Sequence, residues 1–467
     1  MQGKCWIFCN KAAPDLYLFI RAVKSASCLI MGDFFQEGKK YTRCTMARSM
    51  SENERHLAPG SFESKGQYHE RTYHCELITP MAGGGTRSWQ PDLANPVRSQ
   101  AVKGQLRFWW RTMQDVTEPS ALRQRENEIW GSTSNAGAVR LHVNCRKISK
   151  GEDVIAIREK DNGMLDFDET GLPAYVLFPL QGQKDLERYE LVKNLQFSLH
   201  VTCNDPAVQE EVDNVVRLWI LFGGLGARTS RGCGSLYCPE VMEEFQCAEE
   251  IAEFIRSVAA GQPPRYSSPY PVLANSRFAW THCSSGTPQA EWRSFLDSYG
   301  RFRQGVNVGR NPGNGNRPGR TRWPEADAIR KISGQNSPRH QPEHPAGNWF
   351  PRGAYGMPVQ FEFKNAEGDP SGKFFLQPKG KERWPSAVIL KIIKMSDSTC
   401  LRVCLILNHR IPHSLVLLQN SRTVHNLQGN EMPLSHTDKT MPDNATMLRT
   451  GENPYDALIR QFSFQEV

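Results

Sequence analysis

The sequence has no uninterrupted apolar run of about 18 residues or more, the length a helix needs to cross a membrane. The closest approach, Leu16 to Met31, is broken by Arg21 and Lys24. Within it only Leu16 to Ile20 is continuously apolar, too short for the core of a secretory leader, and it follows Lys11 and Asp15 rather than a compact basic start. A cytoplasmic protein without a membrane partner is expected. There is no glycine-lysine-serine phosphate loop, no serine elbow between glycines and no paired-histidine zinc helix. The close cysteine pairs Cys5/Cys9, Cys233/Cys238 and Cys400/Cys404 lack the two-residue gap of a zinc knuckle, and no histidine cluster accompanies them. Neither a metal nor a cofactor is predicted. The 13 cysteines, an odd number in a large chain, are expected to be reduced thiols.

What is present sets the scale. The 467 residues allow two or three domains. The 57 Lys and Arg exceed the 49 Asp and Glu to give a net charge of +8, too small to name a partner unless the cations cluster. The 37 glycines and 30 prolines imply many loops. Residues 1–65 show no sustained period and end in a polar, turn-prone stretch. They are expected to be a poorly ordered extension, or an upstream mis-start with Met46 or Met50 as the alternative first residue.

From Tyr68 onward the pattern is regular. Tyr73–Thr79 reads as a strand stopped by Pro80 and the glycines Gly83, Gly84 and Gly85. Val102, Leu106, Trp109, Trp110 and Met113 are apolar at helical spacing, and Lys103, Arg107 and Arg111 recur at every fourth residue beside them. Strands over Val139–Val143 and Leu195–Val201, a helix from Val208 to Phe222 and a short strand at Ser235–Cys238 complete a strand–helix–strand–strand–helix–strand order, the split βαβ plan. Residues 148–191 are an insertion in it. The Gly, Pro and Ser of 261–268 make a linker. Beyond it, strands at Phe278–Cys283, Val359–Lys364, Ala387–Met395 and Leu401–Leu407, with helices at Trp292–Tyr299 and Tyr455–Phe462, suggest a second domain of related plan. The expected fold class is thus α+β, with a first domain over 66–260 and a second over 269–467.

Three segments carry chemistry. In the first, Ser99 could cap the helix, whose free N–H groups, with Arg98 and Lys103 beside them, would attract an anion. In the second, Phe222–Ser235, glycines such as Gly224 and Gly226 can bring backbone amides close to a ligand while Arg228 and Arg231 supply forked phosphate donors. The third, Arg301–Arg322, is rich in Gly, Arg and Asn and includes Arg310, Arg320 and Arg322. It reads as a flexible loop following phosphates, with Phe302 and Trp323 free to stack on bases. The alternative for each is a solvated basic face, a glycine hairpin or a disordered loop. Convergence of Arg98, Lys103, Arg107, Arg111, Arg228 and Arg231 into one cationic trough, extended by the third segment, is the expectation. Of the histidines, only His340 and His344 lie near a basic segment, as weak candidates for a general base.

The residues of Thr79–Gly85, Val97–Arg111, Glu128–Ser132 and Gly223–Leu236 together resemble the first-subunit family of the Cmr complex, within the RAMP superfamily of type III-B CRISPR systems. Arg320–Glu325 and Trp349–Gly353 extend the resemblance into the second half. It implies two ferredoxin-like domains, of the kind found in RNA-recognition modules, with the superfamily's glycine-rich loop at Gly223–Gly234. It further implies a ribonucleoprotein subunit that holds the 3′ part of a guide RNA and helps capture target RNA beside the backbone and end-capping subunits. Cutting in such assemblies belongs to a backbone subunit, so binding without catalysis is expected. The rival expectation is a metal-independent endoribonuclease that processes guide RNA through a histidine.

Overall fold

The computed structural model describes residues 69–466 apart from 87–89, 116–117, 159, 161–164, 168–169, 181–188, 285, 315–318, 365–366, 436–439 and 442–445, together with the backbone of 29–36 and 39–46. The chain forms two compact units, Met1–Gln67 and Tyr68–Val467. In the first, strands β1 (Leu29–Gln36) and β2 (Lys39–Met46) pair antiparallel, with Leu29 opposite Met46. The rest of the expected amino-terminal extension lies outside the described residues.

The second unit repeats one plan twice. In chain order the first repeat contains β3 (His69–Leu77), β4 (Met81–Ala82), α1 (Ser99–Met113), α2 (Pro119–Trp130) and β5 (Val139–Cys145). There follow β6 (Val154–Ile157), α3 (Ala174–Leu177), β7 (Tyr189–Val192), β8 (Gln196–Cys203), α4 (Pro206–Phe222) and β9 (Leu236–Tyr237). The sheet order β5-β8-β3-β9 places the strands of the strand–helix–strand–strand–helix–strand unit as second, third, first, fourth. The insertion at 148–191 supplies β6 and β7, which form a separate small sheet with β4.

After α5 (Pro239–Met242) and α6 (Ala248–Val258), β10 (Val272–His282) and α7 (Pro288–Gln304) open the second repeat. Its later members, beyond α8 (Glu325–Ser333), β11 (Val359–Glu362) and β12 (Lys373–Pro378), are β13 (Val388–Lys394) and β14 (Cys400–Asn408). It closes, after β15 (Leu415–Gln419) and β16 (Arg422–Asn426), with α9 (Pro454–Gln461) and β17 (Gln465–Glu466). The order β13-β14-β10-β17 is again second, third, first, fourth. The strand expected at 359–364 belongs instead to an inserted sheet, β11-β12-β15-β16.

Local chemistry accounts for these elements. α4 starts where the Asp205 carboxylate accepts the Ala207 amide at 3.0 Å and Pro206 takes the first helical position; Gly223 ends it. In α1 the apolar stripe Val102, Leu106, Trp109 and Met113 is buried, but Ser99 is not the cap. Arg98 occupies that position in extended conformation with no side-chain cap bond, and Ser99 is the first helical residue.

The two repeats share their interiors. β13 is buried from Val388 through Ile393, so both its faces are covered and its sequence lacks the apolar–polar alternation of a half-exposed strand. One core unites Trp109, Trp219 and Phe222 with Phe278, Trp280 and Ile389 across the repeats. The linker position Ser268 is itself buried, with the Ser267 amide held by Asn408 Oδ1 at 3.0 Å.

The glycine-rich turn after α4 is where the halves are tied. Leu225 N donates to Gly234 O at 2.9 Å, Gly234 N to Pro80 O at 2.9 Å, Ala227 N to Ala82 O at 2.8 Å and Ser235 N to Thr79 Oγ1 at 2.9 Å. Gly234 has φ +63°, and a Cβ there would lie 2.0 Å from Leu225 O. On the other side, Lys391 of β13, with no exposed surface, donates its ammonium to the carbonyl of Gly223. Burial lowers its pKa to about 7.

Two outcomes follow from this packing. Gly234→Ala adds a clash at a left-handed position and should cost at least about 2 kcal/mol of stability, read as a lower urea midpoint; an unchanged midpoint contradicts the packing. For Lys391, the unfolded chain holds the proton up to the ordinary 10.5 while the folded chain releases it above about 7. The unfolded state binds more protons between those limits, so wild-type stability rises with pH there and is flat below. Urea titrations of wild type and Lys391→Met from pH 7 to 9.5 should show their stability difference moving in favour of wild type. A pH-independent difference would contradict a buried, proton-shedding lysine.

Candidate nucleic-acid interface

The first and second chemical segments meet. The bonds from Leu225–Ser235 to Thr79–Ala82 lay the glycine-rich turn against the strand that leads to Gly83–Gly85. Beside this seam a groove of ≈ 290 Å³ opens, lined by Met81, Gly84, Arg98, Ala101, Gln105 and the backbone of Gly224–Ala227 among others. Arg98 is exposed and its Nη2 donates to Gly84 O at 2.9 Å, which fixes the guanidinium at the mouth. The first amides of α1 open without intrahelical acceptors, adding partial positive charge at the same end. Gly224 is buried and Gly226 exposed; a Cβ at either would fall 2.6 Å from Gly234 O or 2.4 Å from Ala82 O. Their freedom is used for backbone-on-backbone packing that shapes the groove wall.

The remaining cations do not form one trough with Arg98. Residues two apart on a helix point about 200° away from each other. Lys103 and Arg107 are each two positions from a groove residue, Ala101 and Gln105, and therefore face the other way. On that side Arg107 and Arg111 meet α2: Arg107 Nε donates to Glu126 Oε1 at 2.6 Å and Arg111 Nη1 to the same oxygen at 2.9 Å, Glu126 being only 5% exposed. Burial, with Arg107 nearby, lowers the Lys103 pKa. The sequence could not place Glu126 opposite the stripe, since the partner lies a helix away.

Arg231 is 7% exposed and donates to the carbonyls of Ser230, at 2.9 Å, and Val388. Arg228, with left-handed φ of 63°, donates from Nε to Val176 O at 2.9 Å. Arg231 is thus built into the wall between the repeats, and Arg228 is tied to the insertion of the first.

The third segment is folded rather than loose in its described parts. Residues 301–304 continue α7. Asn311 N donates to Arg320 O at 2.7 Å and Arg322 N to Gly309 O at 2.9 Å, closing a turn. Phe302 and Trp323 are buried, packed edge to face at 5.3 Å, so neither is available to stack on a base. Arg320 is held by Asp327 at 2.8 Å, Arg322 by Asn311 Oδ1 at 2.9 Å, and the buried Nε of Arg310 has no hydrogen-bond partner among the described residues. None of the three lines the groove.

The two motifs of the second half also meet each other. Glu325, with no exposed surface, accepts Arg352 N at 2.7 Å and Arg352 Nε at 3.1 Å. His340 Nδ1 lies 2.7 Å from Asp369, which also takes Arg330 Nε at 2.9 Å. His344 is buried, and that burial lowers its pKa to about 4. Both histidines belong to this network and neither lines the groove. Among the described residues no three His, Cys, Asp or Glu are grouped to hold a metal, all nine cysteines are unpaired, and no helix is long and apolar enough to cross a membrane.

The chain is similar to known proteins in part of its length. Residues 74–237, the span from β3 to β9 that contains the groove, match the RAMP superfamily model. A curated relative, the CRISPR system Cmr subunit Cmr1-2 of Pyrococcus furiosus, is 24% identical over 184 residues, covering 36% of this chain and 94% of the relative. Among solved structures, apo Cmr1 from Pyrococcus furiosus aligns at a TM-score of 0.42 and 16% identity, over 74% of this chain and 89% of that one. A chain of the type III-B Cmr-beta complex bound to cognate target RNA aligns at 0.40 and 11% identity, over 72% and 94%. The first repeat thus carries a RAMP superfamily domain and, over part of its length, the chain is similar to a curated Cmr subunit.

Proposed function

We propose that the chain is a non-catalytic RNA-binding subunit of a type III-B CRISPR effector ribonucleoprotein, holding the 3′ part of the guide RNA and helping to capture target RNA. Its partners are then guide RNA, target RNA and the backbone and end-capping Cmr subunits. In this reading the two repeats, with their shared strand order, are two ferredoxin-like domains. The observation that carries it is the groove in which the helix start at Arg98 and the glycine-rich turn at Gly224–Ala227 come together inside the span matched by the superfamily model.

A backbone phosphate in that groove meets the Arg98 fork, the Gln105 amide and the positive end of α1. Such contacts position a strand without reading its bases, leaving specificity to pairing between guide and target. Neither His340 nor His344 lines that groove, which favours binding over cleavage. Arg107 and Arg111 serve the fold by neutralising Glu126; removing one partner of such a pair leaves a buried charge uncompensated.

Arg98→Ala should weaken single-stranded RNA binding about tenfold and reduce the magnitude of the salt slope by about 0.7. Arg111→Ala should instead lower thermal stability and leave the slope of the folded protein close to wild type. Filter binding across a salt series checks both. A folded Arg98→Ala protein with wild-type affinity and slope contradicts the groove as the RNA site. Cleavage of labelled guide precursor in EDTA, abolished by a substitution at His340, would contradict the non-catalytic reading.

A further inference from the structure

Most buried or half-buried arginines of the second repeat have carboxylate partners. Arg277 pairs with Asp456 and Glu466, Arg330 with Asp369, Arg352 with Glu325 and Arg402 with Glu291. Three arginines at the seam between the glycine-rich turn and α7 have none among the described residues: Arg228, Arg231 and Arg303. All three act on Tyr299, which is fully buried.

Arg303 lies between two rings, its Cζ 4.7 Å from the centroid of Tyr355 and 5.9 Å from that of Tyr299. Its Nη1 donates to Tyr299 Oη at 3.1 Å, and its buried Nε has no partner among the described residues. Arg231 stands over the Tyr299 ring at 5.4 Å. Tyr175, edge-on to Tyr299 at 5.6 Å, joins the set from the insertion side. The charges are felt locally. Burial, with Arg231 beside it, lowers the Arg228 pKa, and although burial raises the Tyr299 phenol, Arg303 and Arg231 pull it below its ordinary value.

Gathering one buried and two half-buried cations without a carboxylate among the described residues is costly, and carbonyl oxygens and tyrosine faces offset only part of that cost. An anion rich in acceptor oxygens would complete the site, and planar guanidinium forks match the tetrahedral oxygens of phosphate. We propose that Arg228, Arg231 and Arg303, none of which lines the groove at Arg98, form a phosphate-accepting site at the seam of the two repeats. Arg303 and Arg228 supply the donors, and Arg231, already anchored to Ser230 and Val388, supplies fixed charge behind them. The proposal draws on the RNA reading only for the source of the phosphate, which is free, terminal on a strand, or internal to it.

The test uses the full chain with inorganic phosphate, and with RNA decamers ending in a 3′-hydroxyl or a 3′-phosphate. Inorganic phosphate should raise the wild-type melting temperature beyond chloride at matched ionic strength, and Arg303→Gln should abolish that increment. Arg303→Lys, which keeps the charge, should retain part of it. For a terminal source, the phosphorylated decamer binds wild type about tenfold tighter than the hydroxyl form, and Arg303→Gln removes the difference. For an internal source, Arg303→Gln weakens both decamers alike and lowers the salt slope by about 0.7. Should Arg303→Gln fail to fold, Arg228→Gln carries the same expectations. Wild type showing no phosphate increment, or the substituted proteins keeping it, overturns the site. If Arg98→Ala still weakens RNA binding about tenfold in that event, the groove reading stands; if wild type shows the increment and Arg303→Gln loses it while Arg98→Ala leaves RNA binding unchanged, the seam site stands without the groove.

Discussion

The fold and the site both depend on the close contact of two backbones, Gly223–Ser235 against Thr79–Ala82. Side chains at Gly224, Gly226 or Gly234 would occupy the space of a neighbouring carbonyl, so only glycine lets the turn lie flat on the strand end. That contact builds the groove wall, closes α4 and presents Gly223 O to the buried ammonium of Lys391. It also sends Arg231 into the second repeat, where the Val388 carbonyl receives it. A turn that would be a surface hairpin in a smaller protein is here the joint between two repeats with one shared interior.

Partnering separates the arginines by role better than position does. Those matched to carboxylates, such as Arg107 and Arg111 on Glu126 or Arg320 on Asp327, are held by the protein's own charge. A phosphate would have to displace a carboxylate from them, giving up a pair already formed. Arg98, and the seam set of Arg228, Arg231 and Arg303, carry charge that no described carboxylate answers, which makes them the places where a polyanion gains most. A modest net charge of +8 is therefore compatible with strong local attraction.

Much of the secondary structure was legible because its signals are local. The apolar stripe of Val102, Leu106, Trp109 and Met113 needs only helical periodicity, and Asp205 with Pro206 marks the start of α4 within a few residues. The importance of the two glycine-rich segments was legible too, since alternating Gly and Arg is hard to explain as loop filler. What was not legible depends on distant partners. Nothing near Arg107 in the sequence announces Glu126 across the next helix. The Arg- and Gly-rich composition of 301–323 reads as exposed chain, yet Phe302 and Trp323 are buried because α7 runs on to Gln304 and a short turn folds back against it. Lys391 sits in an apolar strand where a lone lysine would ordinarily mark a solvent-facing edge. The glycines could serve a ligand or the chain itself, and only the positions of Ala82 and Gly234 decide for the chain.

RNA held along the face where the start of α1 meets the glycine-rich turn is tested most directly by a residue-level map of ultraviolet crosslinks between the full chain and bound RNA. Crosslinked peptides are expected from 81–84, 96–105 and 224–228. Crosslinks confined to the opposite side of α1 and to α2, around Arg107, Arg111 and Arg123, with none at the glycine-rich turn, would contradict it.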